Sequence, residues 1–154
     1  MRTVNLLFSI MLLLFFACQH STEKAKEETS PSNSEEINLN TDTPIVLVYN
    51  FYATRRCSSC VAIEEVTKKT LDTYFAEELK QGKIKQFSIN VDDKANAKLC
   101  EKYQAFGSGI YLTQVLKGKE TSIDLTGDGF KFALNKKEKF IDILRTNIDN
   151  LLKQ

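Results

Sequence analysis

The chain of 154 residues contains a single histidine and no tryptophan, and its formal net charge is only +1. That histidine, His20, lies outside the predicted globular part, so a Ser-His-Asp triad and a Cys-His nucleophilic pair are both excluded there. A metal site built on histidine is disfavoured for the same reason. The near-neutral charge gives no basic surface of the kind that binds nucleic acid, and we expect no such partner.

An apolar run near the N-terminus predicts a leader. Residues from Val4 to Phe16 are almost wholly apolar, and the length of this run suits a signal peptide and is short for a membrane span. The sequence Leu-Phe-Phe-Ala-Cys, which ends at Cys18, resembles the lipobox of bacterial lipoproteins. The resemblance implies cleavage after residues 1–17 and lipidation of Cys18. We therefore expect a lipid-anchored protein of the bacterial cell envelope, outside the cytoplasm, with an ordinary secreted protein as the alternative.

Residues 18–43 are predicted to be a disordered tether. The segment is rich in Ser, Thr, Glu, Lys and Asn, it has no aromatic residue, and Ile37 and Leu39 are its only large aliphatic residues. Such a composition cannot bury enough apolar surface to offset the entropy of ordering. The remaining residues, 44–154, suffice for one domain with its own core, and the expected compartment permits disulfides.

The apolar pattern of residues 44–154 predicts an α/β domain. Leu99, Tyr103 and Phe106 are expected to face inward from the second helix, and Thr126 to Gly129 are expected to form a turn. The order predicts a mixed four-stranded sheet, β-α-β-α-β-β-α, with helices on both faces. The predicted elements are a strand at 45–53, a helix at 58–80, a strand at 84–91, a short helix at 93–104, strands at 110–116 and 120–125, and a last helix from 135.

The motif Arg-Arg-Cys-Ser-Ser-Cys lies where the first strand hands over to the first helix. Two cysteines three positions apart on the first turn of a helix bring their sulfurs within bonding reach. Unpaired backbone N–H groups and the positive end of the helix dipole favour a thiolate at Cys57, and Arg55 and Arg56 add positive charge. We assign Cys57 as the exposed nucleophile and Cys60 as the buried resolving thiol. A static disulfide and a metal-binding pair remain open as alternatives.

With the dithiol placed after the first strand, residues 44–154 resemble the compact form of the thioredoxin fold. The resemblance is carried by Phe51-Tyr-Ala-Thr-Arg-Arg-Cys-Ser-Ser-Cys60, by Asn90-Val-Asp92 and by the hairpin that ends at Glu120. A narrower resemblance, through Arg-Cys-x-x-Cys and the following Ile63-Glu64, is to small bacterial thioredoxin-like proteins of the ArsF type, which are also labelled nitrophenyl-compound nitroreductase subunits. No flavin-binding pattern accompanies that label, so no cofactor is expected.

Two departures from the thioredoxin pattern matter for the site. The family carries a cis-proline before the third strand, where this chain has no proline, and Ile110 or Tyr111 is expected at that place. Since that proline shapes the substrate groove and shields the thiols from metals, its absence keeps metal binding open. The family also keeps a buried acid in the first strand, where this chain offers only Asn50. Glu64, one helical turn after Cys60, is therefore the candidate proton acceptor.

The sequence thus predicts a membrane-tethered thiol–disulfide oxidoreductase that uses Cys57 and Cys60. Protein thiols or disulfides, including a membrane redox partner, are the partners that the resemblance implies. The alternatives are a metal-binding or metal-delivery module that uses the same thiols, and a redox-inert binding subunit. Cys100 is expected to be a small buried hydrophobic residue on the face of the sheet opposite the dithiol helix, and no metal site is assigned.

Overall fold

The computed structural model of the protein describes residues 41–153, so the predicted leader, Cys18 and nearly all of the tether lie outside the described residues. In this part of the chain no helix is long and apolar enough to cross a membrane. The elements are β1 (Ile45–Tyr52), α1 (Ser58–Tyr74), α2 (Ala76–Lys80), β2 (Ile84–Asn90), α3 (Ala97–Tyr103), β3 (Gly109–Leu116), β4 (Lys119–Asp124), α4 (Thr126–Phe132) and α5 (Lys137–Lys153).

The four strands form one mixed sheet in the order β2-β1-β3-β4, as predicted. The central strand β1 is parallel to β2 and antiparallel to β3, and β3 and β4 form an antiparallel hairpin. Lys117 and Gly118 connect the hairpin with φ values of 50° and 75°, as a tight two-residue turn requires. The N–H of Lys117 also donates to the carbonyl of Thr41, at the point where the chain enters the domain.

Helices cover both faces of the sheet, which confirms the predicted architecture. On one face α1, α4 and α5 enclose the larger apolar cluster, and on the other α3 covers a smaller one. Alternate residues of β1 supply both clusters because successive side chains point to opposite faces. The first cluster includes Val46, Val48, Ile63, Leu112, Phe140 and Leu144, and the second includes Leu47, Tyr49, Phe51, Cys100 and Tyr103.

The helix that follows the dithiol is shorter than predicted. The apolar spacing predicted one helix at 58–80, whereas Phe75, with a φ of −132°, separates α1 from α2. The break directs the Phe75 ring into the core, where only 4% of the residue is exposed. Burial of one aromatic side chain has therefore overridden continuous helical geometry, and α2 itself contains no buried residue.

The turn predicted at Thr126 is instead the first turn of α4. Gly129 brings this helix against α1, because a Cβ at this position would lie 3.0 Å from Cγ1 of Ile63 and 3.5 Å from Cγ2 of Ile110. The Oγ1 of Thr126 accepts a hydrogen bond of 3.1 Å from the N–H of Ile110 and so ties α4 to β3. The glycines that suggested a turn thus include one that permits close helix packing.

Phe106 does not face inward, contrary to the prediction. The helix α3 ends at Tyr103, and Gln104 turns the chain with a left-handed φ of 52°. The residues that follow leave the helical stripe on which Leu99 and Tyr103 pack, and 85% of Phe106 is exposed. Phe106 therefore lies in the connection to β3, at the sheet edge where β1 leads to the dithiol.

Candidate functional site

A disulfide between Cys57 and Cys60 opens the helix α1, with the two Cα atoms 5.0 Å apart. Cys57 is the N-cap residue, and its Sγ accepts a hydrogen bond of 3.1 Å from the backbone N–H of Cys60. Cys57 is exposed, as the sequence analysis expected. Cys60 is half-buried, whereas the sequence analysis expected it to be buried. An incoming thiolate therefore reaches the sulfur of Cys57 more readily than that of Cys60.

The start of α1 is suited to hold negative charge on the sulfur of Cys57. The N-cap sulfur lies at the positive end of the helix dipole and already accepts one of the otherwise unpaired N–H groups. The first turn of α1 contains no acidic residue that would oppose this field. Charge-assisted hydrogen bonds are stronger than neutral ones, so the contact strengthens when the disulfide opens to a thiolate.

Arg56 is held by two neighbouring side chains, and one of these is anchored in turn to β2. Its guanidinium pairs with the carboxylate of Glu64 and lies 4.7 Å over the ring of Tyr52. The second carboxylate oxygen of Glu64 accepts a hydrogen bond of 2.8 Å from Oγ of Ser88 on β2. Glu64 thus neutralises much of the Arg56 charge. Thiolate stabilisation by Arg56 and proton acceptance by Glu64 stay predictions.

Arg55 differs from its neighbour Arg56. It is exposed, and within residues 41–153 the structure gives it neither an ion pair nor a hydrogen bond. Arg55 therefore carries the uncompensated positive charge nearest in sequence to Cys57. Its predicted effect on the thiolate is modest because an exposed charge is screened by solvent.

The loop between β1 and α1 is tied to the end of β2. The N–H of Thr54 donates to Oδ2 of Asp92 at 2.7 Å, and Nδ2 of Asn90 lies 3.4 Å from Oγ1 of Thr54. Asp92 is itself oriented by its N–H, which donates to Oδ1 of Asn90 at 3.0 Å. The hydrogen bonds from Thr54 lower the pKa of the Asp92 carboxyl. The sequence identifies Asn90 and Asp92 as part of a resemblance, but it does not assign them to the site.

Ile110 and Tyr111, expected at the place of the cis-proline, are the second and third residues of β3. Ile110 is fully buried and pairs in register with Asn50 of β1. Tyr111 is half-buried, and its ring stands edge-on to Phe51 with the ring centroids 5.5 Å apart. Burial and the nearby Asp124 carboxylate raise the pKa of Tyr111. No cis peptide bond occurs in residues 41–153.

Asn50 in β1 and Thr67 in α1 share a feature that the sequence does not reveal. Asn50 is 1% exposed and Thr67 is fully buried. Within the described residues, Nδ2 of Asn50 and Oγ1 of Thr67 are the buried side-chain polar atoms that lack a hydrogen-bond partner. The sequence identifies the amide in the strand, but it does not show whether that amide finds a partner.

Cys100 lies on α3, across the sheet from the disulfide, and is buried as predicted. Burial raises the pKa of its thiol, which keeps it protonated and unreactive. Cys100 therefore cannot join Cys57 and Cys60 in a shared site. The part of the chain that the structure describes brings together no three Cys, His, Asp or Glu side chains able to hold a metal ion.

An open pocket of about 440 Å³ lies on the face of the sheet that carries α3. Two of its polar side chains already have partners: Lys102 pairs with Glu120, and Oη of Tyr103 lies 2.8 Å from Oγ1 of Thr113. The pocket does not include the disulfide. Its lining residues are Lys102, Tyr103, Gln104, Tyr111, Ser122 and Asp124.

No protein-family model and no curated protein matches the chain. Solved structures that are similar include the first two thioredoxin domains of Eps1p from Naumovozyma dairenensis, with 17% identity and a TM-score of 0.46 over 80% of this chain and 43% of that one. Zinc-bound human ERp44 shows 16% identity and a TM-score of 0.49 over 78% and 30%. A thioredoxin of Malassezia sympodialis shows 17% and 0.42 over 71% and 81%.

The chain spans less than half of the Eps1p structure and less than a third of the ERp44 structure. The strand order β2-β1-β3-β4, the helices on both faces and the disulfide at the β1–α1 junction are features of this chain itself. Together they define a compact thioredoxin-like fold with a Cys-x-x-Cys disulfide at the start of its first helix.

The lowered pKa of Asp92 predicts a specific dependence of stability on pH. A carboxyl whose pKa is depressed by folding stabilises the protein above its unfolded pKa, near 3.8, and this contribution is lost as the pH falls through the folded value. Asp92→Asn should therefore lower the urea midpoint at pH 7, and the difference from the wild type should shrink at about pH 2. Asp142→Asn, which removes an exposed carboxylate from α5, is the control and should change little. A difference that is the same at both pH values would contradict the assignment.

Proposed function

We propose that the protein is a thiol–disulfide oxidoreductase that exchanges two electrons with partner proteins through Cys57 and Cys60. The observation that carries the proposal is the Cys57–Cys60 disulfide at the N-terminus of α1, with Cys57 exposed and its sulfur capped by the N–H of Cys60. A disulfide whose first sulfur is exposed at a helix start is open to exchange, whereas a structural bridge is usually inaccessible.

The exchange proceeds through a mixed disulfide. In the reducing direction the thiolate of Cys57 attacks one sulfur of a partner disulfide, and the other partner sulfur leaves as a thiolate. Cys60 then loses its proton and attacks the sulfur of Cys57, which re-forms the Cys57–Cys60 bond and releases the second partner thiolate. Two electrons pass to the partner, and its two thiolates take up the two protons that the dithiol gave. The reverse sequence oxidises a partner dithiol.

The proposal extends to the setting of the domain. The lipobox-like sequence at Cys18 supports a lipid anchor in the bacterial envelope, with protein thiols or disulfides, or a membrane redox protein, as partners. The narrower resemblance to ArsF-type lipoproteins, carried by Arg56 to Cys60 and by Ile63-Glu64, stays a prediction. We propose no nitroreductase chemistry because the sequence shows no flavin-binding pattern.

Variants in which one of the two cysteines is replaced by serine test the roles of nucleophile and resolving thiol. Reduced Cys60→Ser should form a stable mixed disulfide with oxidised glutathione through Cys57, and mass spectrometry detects the adduct. Cys57→Ser should react at least about tenfold more slowly at pH 7, because Cys60 is half-buried and lacks the N-cap position. Alkylation of Cys57 should follow a pKa below about 8.5.

Two outcomes would count against these roles. Equal reactivity of the two variants, or a Cys57 pKa at the ordinary value, removes the basis for Cys57 as nucleophile. Stoichiometric metal on the reduced wild type that is lost in Cys57→Ser would indicate metal delivery instead. Cys100→Ser combined with Cys60→Ser is the control, and it should form the glutathione adduct as Cys60→Ser alone does.

The Arg56–Glu64 pair predicts opposite effects from its two members. Arg56→Gln removes a positive charge beside Cys57 and should slow alkylation of Cys57 at pH 7 by about two- to fivefold, since partly exposed ion pairs are worth little. Glu64→Gln leaves Arg56 uncompensated and should accelerate alkylation by a similar factor. If Glu64→Gln slows the reaction instead, Glu64 does not act on Cys57 by neutralising Arg56, and the charge argument is wrong.

Lipidation is tested by fatty-acid labelling in a bacterial host. The wild type should incorporate a labelled fatty acid and fractionate with membranes, because each buried acyl methylene contributes roughly 0.8 kcal/mol to partitioning. Cys18→Ser should lose both the label and the membrane association. Cys100→Ser should retain them. A Cys18→Ser variant that keeps the label would refute the lipobox assignment.

A further inference from the structure

Within residues 41–153, two buried side-chain polar atoms lack hydrogen-bond partners, one on β1 and one on α1. They are Nδ2 of Asn50 and Oγ1 of Thr67, in residues that are 1% and 0% exposed. Buried side-chain donors nearly always have a hydrogen-bond partner, because an unpaired donor loses its water and gains nothing in return. Asn50 therefore requires an explanation that the packing of the oxidised protein does not supply.

Contacts with both neighbouring strands fix where α1 crosses Asn50. Asn50 pairs in register with Ser88 of β2 and with Ile110 of β3. Glu64 accepts a hydrogen bond from Ser88, so this side of α1 lies over β2. Ile63 shares with Ile110 the contact around the Cβ position of Gly129, so the other side of α1 lies over β3. Asn50 therefore lies beneath α1, between Ile63 and Glu64.

The same crossing places Cys60 over the end of β1. Cys60 precedes Ile63 by three positions and Glu64 by four, and residues with these spacings share one face of a helix. Thr67 lies on the same face of α1, about one turn after Ile63 and Glu64. Side chains alternate along β1, so Asn50 continues the α1-facing series of Val46 and Val48. On this face of α1, Cys60 thus lies over the C-terminal end of β1, and Thr67 lies further towards the middle of the domain.

We propose that Nδ2 of Asn50 donates a hydrogen bond to Sγ of Cys60 when the disulfide is reduced. A disulfide sulfur is a weak acceptor, whereas a thiol is a better one and a thiolate a strong one. Reduction would therefore give Asn50 the partner that it lacks in the oxidised protein. The amide favours the dithiol form and makes the disulfide a stronger oxidant. This inference rests on the proposed exchange between the Cys57–Cys60 disulfide and dithiol.

An amide at this position has a different consequence from a carboxyl group. Asn50 cannot take a proton from Cys60, so it does not act as a base in the second step of the exchange. It lowers the free energy of the Cys60 thiolate through one hydrogen bond and adds no charge. We therefore expect Asn50 to act on the reduction potential and on the pKa of Cys60, and much less on the reactivity of Cys57.

The test is a redox equilibrium with glutathione. The protein disulfide and two reduced glutathione molecules give the protein dithiol and one oxidised glutathione, so two electrons enter the Cys57–Cys60 bond and the two glutathione protons pass to its sulfurs. Asn50→Leu, which keeps the branching at Cγ but has no donor, should shift this equilibrium about five- to tenfold towards the disulfide. That shift corresponds to a reduction potential lower by about 20–30 mV.

Thr67→Val is the matched control. It removes the other unpartnered buried polar atom of the described residues, and it should change the equilibrium less than about twofold because Thr67 lies seven residues, about two helical turns, beyond Cys60. Asn50→Ala serves if Asn50→Leu does not fold, with the same direction expected. In a Cys57→Ser background, both Asn50 variants should raise the pKa of Cys60, which is measured by the pH dependence of its alkylation.

The outcomes separate this inference from the proposed function. Equal potentials for the wild type and the Asn50 variants overturn the inference, as does an equally large shift in Thr67→Val. The glutathione equilibrium requires no protein partner. A shifted potential in Asn50→Leu together with no exchange between the wild type and protein disulfides would sustain the Asn50 inference and reject the oxidoreductase. Exchange with an unshifted potential would do the reverse.

Discussion

The hydrogen bond from the Cys60 N–H to the sulfur of Cys57 is the contact on which the chemistry of this fold depends. It makes a sulfur atom the N-cap of α1, a position usually occupied by an oxygen of Ser, Thr, Asp or Asn. The start of the helix and the redox group are therefore one structure. Whatever fixes the first turn of α1 also fixes the electrostatic environment of the exposed sulfur.

Most of the surrounding structure holds that first turn in place. The side chains at the end of β2 bind the loop at Thr54, and Gly129 lets α4 press against Ile63 one turn into α1. Glu64 connects the same part of α1 to β2 through Ser88 and to the preceding loop through Arg56. These contacts come from the end of β2, from α4 and from the loop before α1, so the disulfide rests on a support that no single loop movement removes. Beneath it, Asn50 lies on the face of β1 that packs against α1, and its Nδ2 has no partner within the described residues.

The architecture was accessible from the sequence because it follows from local patterns. The apolar run of β1, the alternation in β2, the hairpin at Lys117-Gly118 and the position of Cys57 relative to the first helix each depend on neighbouring residues. The misassigned features depend on distant ones. Phe75 interrupts a helix to fill the core, and Thr126 begins a helix because it bonds to Ile110 on another strand. Phe106 is exposed because Gln104 takes a left-handed conformation that its residue type does not announce.

The site shows the same division between local and distant information. The two cysteines and the arginines beside them are evident in the motif, but the pairing of Arg56 with Glu64 and the isolation of Asn50 are not. Both result from the way in which α1 crosses β1 and β2. Glu64 compensates the charge of Arg56, which the sequence had made available to a thiolate. Asn50, at the place where the thioredoxin family keeps a buried acid, has an amide N–H group without a partner in the described residues. Burial and partners, which decide these roles, exist only once the sheet has formed.

The hydrogen bond between Lys117 and Thr41 has a mechanical consequence. It fixes the point of entry of the chain beside the β3–β4 turn, at the opposite end of β1 from the cysteines. The eight residues of β1 separate this entry point from the end that leads to the cysteines by about 25 Å, at roughly 3.3 Å per residue. A pulling force applied to the chain before Thr41 would therefore act on the end of the domain opposite the disulfide, and the hydrogen bonds of the β3–β4 hairpin would bear it first.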